Sequence, residues 1–209
     1  MAVGPLKALP GLLALLLGVA ACGGGGRESG KTADQILNDA QAAADKASSV
    51  HIVGEVTRGG TPGTLELLLA NNGDGREQVT TADHTAEIIK VGQVLYARGI
   101  PGLSGTGYQR LSLSDPRAAR LAQAVDKKTV FMQLIDHNEA FTVIGTETLN
   151  GNAAVKLKPQ TGPGILYIAD DAEHPYPLRV DDAANGQGTI TFSDWGADVT
   201  IAAPPGSGG

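Results

Sequence analysis

FTVIGTETLNGNAAVKLKP, residues 141–159, is the stretch on which the fold turns. Two runs rich in strand-forming residues flank Asn150-Gly151, a dipeptide that accepts positive φ at both centres of a tight hairpin, so the runs pair antiparallel. The same signal returns at Asn185-Gly186, between PLRVDD and GTITFSDW, and a further strand over Gly164 to Ala169 lies between the two hairpins. No helical pattern separates these strands, so the crossover that a parallel sheet requires has no residues to form it.

Working outward, the N-terminal half holds five more runs with partial strand alternation: His51 to Arg58, Thr64 to Ala70, Arg76 to Thr81, Thr85 to Val91 and Val94 to Arg98. Each is bounded by Gly, Pro, Asn or Asp. Two helical patterns complete the chain. Residues 33 to 48 set Ile36, Leu37, Ala40, Ala43, Ala44 and Ala47 at helical spacing. Asp115-Pro116 supplies an N-cap and a first-turn proline for a second helical stretch, one bent helix or two short ones, through Leu121, Ala124, Val125, Phe131, Leu134 and Ile135. A single antiparallel sheet of about ten strands must curl, because strand twist accumulates across it. Its concave apolar face then takes the N-terminal helix and the middle helical segment. The expected fold is therefore α+β, a curled antiparallel half-barrel over residues 32–203, with 204–209 a disordered tail.

The N-terminus reads as an export signal. Lys7 and the amino terminus precede an apolar run, Leu9 to Ala21, which is short for a permanent membrane helix, for which about 20 apolar residues are needed. The run closes on Val19-Ala20-Ala21-Cys22, which resembles the lipobox of bacterial lipoproteins, so residues 1–21 are expected to be cleaved and Cys22 acylated. Cys22 is the single cysteine of the chain and has no partner for a disulfide. Residues 22–31 then form a flexible tether. The lipoprotein is expected outside the cytoplasm, lipid-anchored to the outer face of the cell membrane, with two or three acyl chains providing the stable hold that one chain cannot.

GGRESGKT, Gly25 to Thr32, matches the pattern G-x-x-x-x-G-K-[ST] of a phosphate-cradling loop. The context opposes nucleotide binding: a signal segment stands where the buried parallel strand is needed, and the strands and helices do not alternate. Thr32 and Gln35 instead form a capping box at the start of the first helix, with Asp34 favourable in its first turn. The formal net charge of −6, which becomes −7 once Lys7 leaves with the signal, argues against nucleic acid as a partner. With aromatics at 4%, there is no stacking face for bases or sugars.

Other chemistry finds little support. His51, His84, His137 and His174 are too far apart in sequence for a zinc motif. Asp170, Asp171, Glu173 and His174 crowd one loop without the ligand alternation of a calcium site, and Asn71 to Gly75 reads as a turn. Ser104 has no nucleophile-elbow context. No catalytic residue, metal ligand or cofactor is assigned, and the chain is expected not to be an enzyme.

Taken together, the lipobox, the short tether, the Ala-rich helix leading into SSVHIVGEV, then AEIIKVGQVLYARG and the closing YPLRVDD and GQGTITFSDWGADVTIAAPP resemble actinobacterial LppX/LprG-type lipoproteins. Those proteins have a fold similar to LolA, a half-barrel closing over helices around an apolar cavity for acyl chains. The resemblance implies a non-enzymatic envelope lipoprotein that binds a lipid or glycolipid for transport or presentation. Phe131, Met132, Leu134 and Ile135 are the candidate lining of that cavity, with Met suited to an adaptable pocket. The alternative is a tethered protein-interaction domain with a filled core and no ligand.

Overall fold

The computed structural model describes residues 27–205 except 59, 136–138, 162 and 182–187. Cys22, the signal segment, His137 and the Asn185-Gly186 turn lie outside the described residues, and so does the side chain of Leu134.

Helix α1 spans Ala33–Lys46. Its N-terminus is the expected capping box: the Thr32 hydroxyl accepts from Gln35 N, and the Gln35 side chain accepts from Thr32 N at 3.0 Å. Five strands follow as a meander: β1 (Ser49–Arg58), β2 (Thr61–Ala70), β3 (Gly75–Thr81), β4 (Thr85–Val91) and β5 (Val94–Arg98). A short sixth, β6 (Gln109–Ser112), was not anticipated; four residues are too few to show alternation. Two helices, α2 (Pro116–Ala122) and α3 (Lys127–Leu134), lead to a second meander. Its strands are β7 (Phe141–Leu149), β8 (Asn152–Pro159), β9 (Ile165–Ala169), β10 (Pro177–Asp181) and β11 (Thr189–Ser193). The β7 to β8 turn has Asn150 at φ 50° and Gly151 at φ 87°, the two positive angles its sequence predicts.

All eleven strands form one antiparallel sheet in the order β6-β5-β4-β3-β2-β1-β11-β10-β9-β8-β7, which is not closed. The first strand pairs with the last, with His51 opposite Ser193 and Gly54 opposite Ile190, and this central seam joins the two meanders. Gly54 is required there: a Cβ would stand 2.8 Å from Ile190 Cγ1 and 3.0 Å from the Thr189 carbonyl oxygen.

The curl shows in the core. Ile88 of β4 and Leu157 of β8 are seven strand spacings apart, about 34 Å in a flat sheet. Both nevertheless belong to one continuous buried cluster with Ile36, Leu37 and Ala40 of α1 and with Phe131 and Ile135. The β6 and β7 edges are joined through α2 and α3, so the helical segment crosses the concave face between opposite edges. Lys127, buried at the start of α3, donates to the Ala44 and Ala47 carbonyls at 2.8 and 2.6 Å and so closes the C-terminus of α1.

Two ends of the chain differ from expectation. Within the supposed tether, Glu28–Gly30 is a 3-10 turn with Glu28 buried. The supposed tail, as far as Pro205, lies on the outer face of the sheet with Pro204 buried, beside a groove that Leu68, Ile89 and Tyr108 also line. The physical reason is that Leu68 and Ile89, on the outward side of their strands, need cover that strand alternation alone does not announce.

Candidate functional site

The inner face of the sheet can be followed across strands, because directly opposed residues share a face. At one level the row reads Ala86, Val79, Leu65, Gly54, Ile190, Val180, Leu166, Leu157 and Val143, nine strands without a polar side chain. Val79, Ala86, Ile190, Leu166 and Leu157 are buried, whereas Leu65, Val143 and Val180, which face the same way, are only half-buried. Phe141, two residues above Val143, is also half-buried.

Among the described residues, the half-buried members of the row lie toward one end of the half-barrel. The end carrying the β2 to β3, β7 to β8 and β9 to β10 turns is filled by α1 and by the Gln123–Val125 turn; a Cβ on Gly75 would collide with the Val125 carbonyl there. Toward the opposite end, where β7 begins, the described members of the apolar row are only half-buried, and Leu65, Phe141, Val143 and Val180 frame its mouth. A second half-covered group, Leu111, Leu113 and Leu121, borders α2 at the β6 edge.

The next row down is Phe192, Ile52, Leu67, Glu77, Ile88 and Ala97. Glu77, at 6% exposure, places a carboxylate on the inner face between two aliphatic side chains. It is two residues from Val79 in the same strand, so strand periodicity could have assigned it inward, although the sequence reading gave it no role.

Of the four candidate lining residues, Phe131 (2% exposed) and Ile135 are buried in the core. Phe131 packs on Phe192 and Trp195 at ring separations of 5.6 and 5.4 Å, and Trp195 stacks on Tyr176 at 4.9 Å. Met132 is 51% exposed and lines no interior space. One residue on from Phe131, it is turned about 100° round the helix and points outward.

Grooves on the outer face bring polar side chains together. One, of about 310 Å³, runs between the C-terminal segment and the sheet and is lined by His51, Glu66, Leu68, Arg76, Asp194 and Val199 among others. His51 Nε2 is 3.1 Å from Glu66 Oε1, and Ser193 Oγ is 3.5 Å from His51 Nδ1. The grouping has the residue types of a hydrolytic triad but not its surroundings. Ser193 Oγ donates to Asp194 at 3.1 Å, and the nearby Gly196 and Ala197 N–H groups already donate to the Ser49 and Asp194 carbonyls, leaving neither as an oxyanion donor. Another, of about 410 Å³, lies over Glu87, which accepts from Arg76 Nε at 2.7 Å, Arg98 Nε at 2.8 Å and the Tyr108 hydroxyl.

The residues that complete the phosphate-loop pattern are engaged within the protein. Lys31 Nζ pairs with Glu28 at 2.6 Å and Asp39 at 2.7 Å, and Thr32 caps α1. Among the described residues, no group of three or more His, Cys, Asp or Glu could hold a metal ion, and no helix is long and apolar enough to cross a membrane.

By sequence, no family model and no curated protein matches the chain. Solved structures similar to it include a chain of the MucA/MucB complex of Pseudomonas aeruginosa, at 19% identity and TM-score 0.42, covering 80% of this chain. The match takes in only 58% of that chain's length. A conserved protein from Thermus thermophilus aligns at 11% identity and TM-score 0.48, covering 84% of this chain and 96% of that one. A LolA superfamily protein from Nitrosomonas europaea aligns at 14% identity and TM-score 0.28, with the same coverages, 84% and 96%. At these identities and TM-scores no residue role passes from these proteins to this chain. An unclosed antiparallel sheet over helices is the arrangement that the resemblance to LolA-like proteins implies.

Proposed function

We propose that this chain is an exported, non-catalytic lipoprotein of the LppX/LprG type, held through acylated Cys22 at the outer face of the cell membrane. In this reading its half-barrel takes the acyl chains of a lipid or glycolipid through the mouth, for transport or presentation. The observation that carries the reading is the uninterrupted nine-strand apolar row, whose members at the mouth remain half-exposed. Desolvation supplies the driving force. Each buried CH₂ contributes about 0.8 kcal/mol, so roughly ten methylenes offset much of the 4–15 kcal/mol cost of association. Selectivity then falls to the mouth.

The test is native mass spectrometry with organic extraction of the Cys22→Ser protein, followed by titration with the fluorescent fatty acid cis-parinaric acid. The parent is expected to carry or take up lipid. Val180→Trp, which narrows the mouth from a half-buried site, is expected to weaken uptake by about tenfold or more, equivalent to about 1.4 kcal/mol. A parent that is apo and takes up no fatty acid overturns the reading.

One observation favours the alternative, a tethered protein-interaction domain. Among the described residues, the space beneath α1 and α3 is already packed with Phe131, Ile135, Phe192 and Ile36, so a ligand would have to enter at the mouth. On that reading the same experiment returns a clean apo mass.

A further inference from the structure

The outer face of the second meander carries a third groove, of about 480 Å³, within the range of about 300–1,000 Å³ that small-molecule sites span. It lies between the outward side of β10 and β11 and the tip of the β7 to β8 hairpin. That tip runs past the neighbouring strand: β8 pairs with β9 from Ala154 onward, whereas its pairing with β7 begins at Asn152. Strand twist is largest where only two strands pair, and here Leu149, Asn150 and Asn152 of the tip form one wall.

The floor is held in place from within. Arg179 lies over the Tyr167 ring, 4.3 Å from its centroid, and donates to Asp181 at 2.8 Å. The Thr189 hydroxyl donates to the same carboxylate at 3.3 Å, and Ser193 Oγ donates to Asp194 at 3.1 Å. Capacity is left over. Arg179 Nε is buried without an acceptor among the described residues. The Asn150 and Asn152 amides and the Thr191 hydroxyl, which also line the groove, have no hydrogen-bond partner among those residues either.

The chemistry of this set selects a ligand class. Among the described residues, the charged side chains of the lining are one cation, Arg179, and one anion, Asp194. An anionic ligand is repelled by Asp194, and a cationic one by Arg179. A neutral hydroxyl suits both, because it accepts from a guanidinium and donates to a carboxylate, and amides serve it in either sense. A peptide has no ladder to join, since β10 and β11 are each paired on both sides. Half-buried Leu149 and Leu178 offer surface to C–H groups. Trp195 is stacked on Tyr176 and Phe192 at 4.9 and 6.2 Å, so its ring is engaged within the protein and recognition falls to hydrogen bonds.

We propose that this groove binds a neutral sugar through Arg179, Asp194, Thr191, Asn150 and Asn152. The function is separate from lipid carriage and needs neither the mouth nor the acylation of Cys22.

The experiment applies amine-labelled Cys22→Ser protein to an array of neutral, sulfated and sialylated oligosaccharides. At least one neutral oligosaccharide is expected to retain it. By calorimetry that affinity is expected to fall about tenfold or more in Thr191→Trp, which fills the groove. The same variant is expected to keep the parent's urea midpoint and its uptake of cis-parinaric acid. Gln78→Trp, in the groove beneath the C-terminal segment, is expected to keep the parent's sugar affinity. Should Thr191→Trp lower the urea midpoint, Asn152→Ala, at an exposed position, decides in its place. Failure of every neutral oligosaccharide to bind, preference for the acidic ones, or undiminished affinity in the folded variant overturns the proposal.

The retained sugar is then coupled to phosphatidylethanolamine and offered in vesicles. Tighter binding there than in solution assigns it to a lipid headgroup, and equal or weaker binding to a free polysaccharide. A parent that takes up no fatty acid but retains the sugar refutes the lipid cargo and leaves this site standing.

Discussion

Glu87 is 1% exposed on the outer face, beneath the C-terminal segment. Burial, the largest influence, would raise its carboxyl, but hydrogen bonds from Tyr108, Arg76 and Arg98, with the charge of Arg76, together outweigh burial and hold it below the usual carboxylate range. The sign follows from proton linkage. A depressed folded value contributes stability above the unfolded carboxylate value of about 4.3, and that contribution is lost as pH falls through the folded value. Glu87→Gln is expected to be less stable than the parent at neutral pH and to show a shallower loss below about pH 4. Urea midpoints across that range test this, and parallel slopes would remove Glu87 from the acid response.

In α3, neighbouring residues have opposite fates. Phe131 and Ile135 are four apart on the buried face, while Met132 faces solvent. Phe131→Ala is expected to cost about 3–5 kcal/mol through the cavity it leaves among Phe192 and Trp195. Met132→Lys should fall within about 0.5 kcal/mol of the parent. Both are read from urea denaturation, and a large loss at Met132 would mean that the helix is rotated from the orientation described.

The contrast also shows what the sequence could convey about elements. Asn150-Gly151, the Thr32 to Gln35 box and Asp115-Pro116 are local devices, complete within a few residues, and the structure contains each of them. The phase of α3 was harder: apolar residues run nearly continuously from Val130 to Ile135, so periodicity does not single out the buried side. The turn at Glu28–Gly30 was hidden because Ser29 N donates to Asp170, 141 positions away, and because the turn follows a glycine-rich stretch of sequence that reads as linker. The mouth was hidden likewise, since being half-exposed is a property of the assembled row and not of Val143 or Val180 in its own strand.

For the molecule as a whole, the seam between β1 and β11 is the decisive contact. It joins two meanders that otherwise meet through the helical segment, α1 and the C-terminal segment on the outer face. A chain ending at Asp181 would lack Ile190 and Phe192 and leave the β1 and β10 edges unpaired, splitting the sheet in two. It is expected to show no cooperative urea transition by circular dichroism; a cooperative transition would mean that one meander folds alone.

The same seam sets an order of events. His51 and Ser193 face each other across 142 positions, so the strand made first is among the last to be enclosed. Contacts this distant in sequence make folding slow, because a long loop must close before the contact returns anything. A nascent chain of this design stays open until almost all of it has been synthesised. If the chain is exported through Cys22's signal, that delay keeps it threadable for as long as passage across the membrane requires.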